Sequence, residues 1–122
     1  MIESAFFAAL SAPAPIQAIV AGRIYALILP DDVTLPAIDY SFIAASTAPT
    51  NDTTGPRRYL VEVNCWGSTY TDAVTLRHAV ITALDGYSDS DMQVRLSQPR
   101  DFFAPERMSF RAMAEFHLYS NL

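Results

Sequence analysis

Apolar and polar positions alternate with period two from Tyr59 to Trp66. Tyr59, Val61, Val63 and Cys65 fall on one side, and Leu60, Glu62, Asn64 and Trp66 on the other. Successive side chains of a strand point to opposite faces, so the pattern predicts a half-buried strand. Gly67 ends it. The period then changes. Ala73, Leu76, Val80, Ala83 and Leu84 recur at three- and four-residue spacing, which makes one apolar stripe of a helix. Ser68 or Thr69 can cap its first turn through a hydroxyl oxygen. Asp72 suits the positive end of the helix dipole. Gly86 is placed to close the helix in a left-handed turn.

This strand and helix, Arg57 to Gly86, must bury their apolar faces, and the remaining segments look built to cover them. Ile2, Ala5, Phe6, Ala9 and Leu10 predict a short first helix, stopped by Pro13 and Pro15. Pro15 can open a second short helix, Ile16 to Ala21, because its missing N–H costs nothing in a first turn. The stretch after Gly22 carries Pro30 and Pro36 and reads as an edge or a loop. Ala37 to Ser46 alternates as a strand. Ser46 to Arg58 is rich in Thr, Pro, Asn, Asp and Gly and reads as a long loop joining two strands of a hairpin. Met92, Val94 and Leu96 predict a third strand, ended by Pro99, and Arg100 to Arg107 reads as a loop. From Met108 to Tyr119 the alternation is cleanest. Met108, Phe110, Ala112, Ala114, Phe116 and Leu118 share one face, and Ser109, Arg111, Met113, Glu115, His117 and Tyr119 the other. The expected class is therefore α+β: an about four-stranded, mainly antiparallel sheet with one long helix and short N-terminal helices packed on it.

Composition narrows the reading. At 122 residues, 51% hydrophobic and 17% charged, one domain spanning 1–122 with a real core is expected. No apolar run is long enough for a transmembrane helix, so no membrane partner is expected. The first residues could mimic a signal peptide, but Glu3 stands where a basic region belongs and no Lys or Arg precedes Arg23. A single cysteine gives no internal disulfide and suits a reducing compartment. The formal net charge of −5 argues against a general nucleic-acid-binding surface, though not against a protein that surrounds DNA without gripping it.

Candidate chemistry is sparse, and no enzyme activity is expected. Cys65 with His78 or His117 could be drawn as nucleophile and base, but Cys65 shares its face with Val61 and Val63, as a small hydrophobe does. The histidines lack the spacing of a metal site. Asp31-Asp32 and Asp89/Asp91 read as turn residues, too few for calcium. No phosphate-binding or dinucleotide-binding glycine pattern is present, so no cofactor is expected. What stands out is apolar and basic material away from the predicted core. Arg57 and Arg58 flank the long loop, Trp66 shares a face with Glu62 and Asn64, and Phe102 and Phe103 are adjacent. These five are candidate interface residues on residue chemistry alone: Trp66 is either an interface anchor, since Trp is enriched in hot spots, or core under a helix, and Arg57 and Arg58 either touch a phosphate or a partner's carboxylate or form a solvated hairpin base. With Met113 and Tyr119 they suggest self-association or a partner, unless the N-terminal helices cover the second sheet face.

Three stretches, in order, carry a resemblance. They are GRIYALILPDDVTLPAIDYSFIA from Gly22 to Ala44, RRYLVEVNCWGSTYTDAVTLRHAVITALDG from Arg57 to Gly86, and RDFFAPERMSFRAMAEFHLY from Arg100 to Tyr119. The chain resembles the small tail-completion, or tail-terminator-like, proteins of long-tailed bacteriophages and prophages. The Ser46 to Arg58 loop does not match that family residue by residue. The resemblance implies a structural virion protein with no catalytic residues. It implies a ring, commonly a hexamer, at the head-proximal end of the tail, assembled in the host cytoplasm. Such a ring stops tail-tube polymerisation, meets the tail tube protein and a head-completion or connector protein, and lets DNA pass through its lumen without specific binding. Another phage neck or minor tail protein, or a small cytoplasmic ligand-binding α+β domain, are the alternative readings.

Overall fold

A computed structural model describes residues 1–47, 57–104 and 108–121. Among the described residues the chain forms three helices and five strands. They are α1 (Ile2–Ser11), α2 (Ala14–Val20), β1 (Ile24–Ala26), β2 (Ala37–Thr47), β3 (Arg57–Gly67), α3 (Tyr70–Leu84), β4 (Met92–Ala104) and β5 (Ser109–Ser120). The strands make one mixed sheet in the order β1-β2-β3-β5-β4. β1 runs parallel to β2, and the other neighbours are antiparallel. Helix α3 carries the chain from the central strand β3 to the edge strand β4, and β5 returns between them. The α+β class holds, and the four strands expected become five because β1 adds three residues beside Ile38–Tyr40.

The helices all cover one face. Ile38, Val61, Val63, Cys65, Ala114, Phe116, Leu118, Met92 and Val94 turn toward α3, where Ala73, Leu76, Val80 and Leu84 are buried. Phe6 of α1 packs on Tyr40 and Phe42 of β2, with ring centroids 5.8 and 5.7 Å apart. The N-terminal helices therefore share the α3 side, and among the described residues no helix lies on the second sheet face. Thr69 caps α3 as expected, its hydroxyl oxygen accepting from the Asp72 N–H at 3.1 Å. Gly67 makes the tight joint between β3 and α3. A Cβ there would lie 2.6 Å from the Ala73 backbone nitrogen.

Several expectations are corrected. Pro99 does not end its strand. β4 continues to Ala104, so Phe102 and Phe103 lie in a strand and not in a loop. Proline is tolerated because β4 is an edge strand, where a missing N–H breaks no ladder on the outer side. The register shifts between Leu96 and Gln98 just before it. β2 runs through Ser46 as expected and one residue further, to Thr47, and Arg57 and Arg58 open β3. The rest of the predicted loop, 48–56, lies outside the described residues, as does 105–107. A second bulge, at Ile43, moves Ala44 from the apolar face to the open one, opposite Leu60. Gly86 has positive φ, but the helix cap before it, Asp85, is extended. The Gly86 N–H donates to Val94 of β4, so it forms the helix-to-strand turn and no left-handed helix cap.

Candidate interaction surface

The open face of the sheet holds a polar and aromatic cluster. Asp39 of β2 and Asn64 of β3 stand opposite each other, and Trp66 lies two positions further along β3. Asn64 Nδ2 donates to Asp39 Oδ1 at 2.7 Å, and the Trp66 indole N–H donates to Asp39 Oδ2 at 2.6 Å. Asp39 is only 5% exposed. Burial pushes its carboxyl above the usual aspartate range, although both donors and the distant Arg111 charge pull it back. Asn64 Oδ1 is buried with no hydrogen-bond partner.

Beside this cluster, register joins Trp66 of β3, Arg111 of β5 and Phe102 of β4 in one row. The Arg111 guanidinium lies 4.2 Å from the Phe102 ring centroid and 5.9 Å from that of Trp66. Glu62 Oε1 is 3.9 Å from Arg111 Nη1. A guanidinium flanked by two rings is held in place, and its remaining N–H groups can meet an acceptor on another protein. Phe103 points to the other side of β4. Its ring is 5.0 Å from Phe110, which is 6.1 Å from Tyr70 of α3. The Tyr70 hydroxyl donates to Asp101 Oδ2 at 2.7 Å, and Arg77 pairs with the same carboxylate. These donors hold the Asp101 carboxyl below its usual range.

The structure thus gathers Trp66 and Phe102 around Arg111 and sends Phe103 to a separate patch. Arg58 is exposed near the opposite end of β3. There it borders a shallow concavity of about 260 Å³ with Ala44, Ala45, Leu60 and His117. The side chain of Arg57 lies outside the described residues. Cys65 is fully buried and burial pushes its thiol upward, away from a thiolate nucleophile. Among the described residues, no three His, Cys, Asp or Glu side chains gather as metal ligands would. No single helix is long and apolar enough to cross a membrane. Asp39 and Arg111 were missed as site residues. The signal for Asp39 was an isolated acid inside an otherwise apolar strand. Arg111 gave only its place on the polar face of β5.

A second feature lies at the sheet edges. The chain after β1 turns sharply, leaving Leu27 and Ile28 exposed, and Ile43 is exposed on β2. At the opposite edge Tyr70, Phe102, Phe103 and Met108 are exposed. Apolar groups exposed on two opposite edges of one copy are surfaces that another protein can bury.

The sequence model for "Tail completion protein gp17" matches residues 4–120. The chain belongs to this family of tail completion proteins, and so it is a structural component of a bacteriophage-type tail; the family is not an enzyme class. Among solved structures it is similar to a chain of the virion of a native gene transfer agent (GTA) particle. The TM-score is 0.63 at 17% identity, covering 93% of this chain and 90% of that one. That likeness speaks for the fold alone. Comparison with curated proteins finds no match.

Proposed function

We propose that this chain, acting as one domain, forms a closed ring at the head-proximal end of the tail tube. The ring ends tube growth, offers a surface to the head-completion or connector protein and lets DNA pass. The observation that carries this reading is the split of exposed apolar groups between the β1–β2 edge and the β4 edge. A closed ring uses head-to-tail contacts in which two different surfaces of each copy meet. In this reading Trp66, Phe102 and Phe103 act as interface anchors, and Arg57 and Arg58 meet carboxylates of the tube or connector. The net charge of −5 supports a lumen that repels DNA and lets it slide.

Electron microscopy of particles made with and without the chain tests the role. Without it, tubes of uneven length and heads without tails are expected. Tails of uniform length on DNA-filled heads would refute it.

A further inference from the structure

We propose that Arg58 and the concavity around it at the β2 edge of one copy bind the acidic turn 85–89 of the next copy, through Asp85 and Asp89. The inference rests on the ring reading above and names its joint. It refines that reading for Arg58, whose carboxylate partner becomes the neighbouring copy.

Register puts the two parts at one level of the sheet. β1 stops at Ala26, opposite Tyr40, so from Phe42 onward β2 is itself the edge strand. There the concavity of about 260 Å³ opens, with Arg58 and His117 as its polar side chains beside Ala44, Ala45 and Leu60. Arg58 stands opposite Tyr119 of β5, Tyr119 opposite Gln93 of β4, and Gln93 bridges to Ser88. One row across the sheet therefore begins at the concavity and ends at the turn. Three strand spacings, roughly 14 Å, separate Arg58 from Ser88, and Tyr119 and Gln93 stand between. A copy does not fill its own site, whereas copies joined edge to edge at one level bring the end of this row to its start.

Each part carries the charge that the other lacks. Among the described residues no hydrogen bond or ion pair engages the Arg58 guanidinium, and no carboxylate lines the concavity. The next carboxylates on this face, Glu62 and Glu115, are engaged elsewhere. Glu62 lies 3.9 Å from Arg111, and Glu115 accepts from Ser97 Oγ and Gln98 Nε2 at 3.2 Å each. The stretch 85–91 is the reverse, with Asp85, Asp89 and Asp91 and no Arg, Lys or His. Arg95, on β4 nearby, pairs with none of them among the described residues. Asp85 and Asp89 are exposed and already held in place. Asp85 Oδ1 accepts from the Leu96 N–H at 3.0 Å. Asp89 Oδ1 accepts from the N–H groups of Asp91 and Met92 at 2.7 and 3.0 Å, and its Oδ2 from the Tyr87 hydroxyl at 2.7 Å. Fixed carboxylates lose little freedom on binding, and their spare lone pairs suit the planar fork of a guanidinium.

Contact through side chains, not through strand addition, follows from both edges. β2 is bulged at Ile43. On β4 the Val94 N–H already donates to the Tyr87 carbonyl at 2.8 Å, and the Val94 carbonyl accepts from Gly86 N–H at 2.9 Å.

The test uses tails that carry variant protein. Oxidation of the double variant Ala45→Cys/Ser88→Cys should yield a ladder of covalent multimers, with either single variant yielding none. Arg58→Gln should lower ring occupancy on tails at least tenfold and leave the isolated protein's unfolding temperature unchanged. Asp85→Asn/Asp89→Asn should do the same to occupancy, since Asn keeps an Oδ1 acceptor for the turn and loses the charge. All three substitutions together should cost no more than either set alone, because both sets remove one contact. A ring without the ladder, one indifferent to Arg58→Gln, or losses that multiply in the triple variant overturn this joint and leave the ring reading intact. Unmodified tails with no ring of this chain overturn both.

Discussion

Asp39 brings a carboxylate into the interior of the sheet, and two donors decide whether it is tolerated. The Trp66 indole N–H is one of them. Trp66→Phe keeps most of the ring and removes that donor. We expect a loss of about 1–3 kcal/mol, the usual cost of a buried acceptor left short of a partner. Urea unfolding measures it, and an unchanged midpoint would contradict the account. The pH behaviour follows from direction. An unfolded Asp titrates at about 3.9, and folded Asp39 titrates higher because it is buried. Between those two values the folded state holds a proton the unfolded chain has lost, so the Asp39 contribution favours folding as pH falls through that window. Asp101 runs the other way. Tyr70 first, then Arg77, lower its value, so its stabilisation is present above the unfolded value and is lost as pH falls through the lowered one. An NMR titration of the carboxyl carbons should place Asp39 above and Asp101 below the ordinary midpoint, and the reverse order would be fatal to this explanation.

The β3–α3 joint is where one element fixes the next. Thr69→Ala removes the cap on α3 and should cost about 1 kcal/mol. Gly67→Ala should cost as much or more, about 1–3 kcal/mol, because its Cβ meets the Ala73 backbone at 2.6 Å and backbone cannot swing aside. Thermal unfolding of the two variants ranks them, and a harmless Gly67→Ala would show that the joint is slack. The same elements explain what the sequence made legible. β2, β3, β5 and α3 have one buried face over many residues, so their periodicity is strong. β1 has three residues, too few to show a period, and is held by its neighbour β2. The second half of β4 was hidden by Pro99, whose usual meaning as a strand breaker does not apply at an edge. Trp66 and Phe102 were legible as anchors by residue type. Their convergence on Arg111 was not, because it depends on the register of three strands across a bulge.

On the scale of the molecule, the three helices among the described residues cover one sheet face, and exposed apolar groups stand at both ends of the strand order. Membership of the tail completion family places the chain in a bacteriophage-type tail. The proposed function requires a closed ring of identical copies at the head-proximal tube end. Cryo-electron microscopy of the head–tail junction in particles containing this chain should show that ring, with the β1–β2 edge of each copy facing the β4 edge of the next. A single copy at the junction, or density for this chain only at the distal tip of the tail, would contradict it.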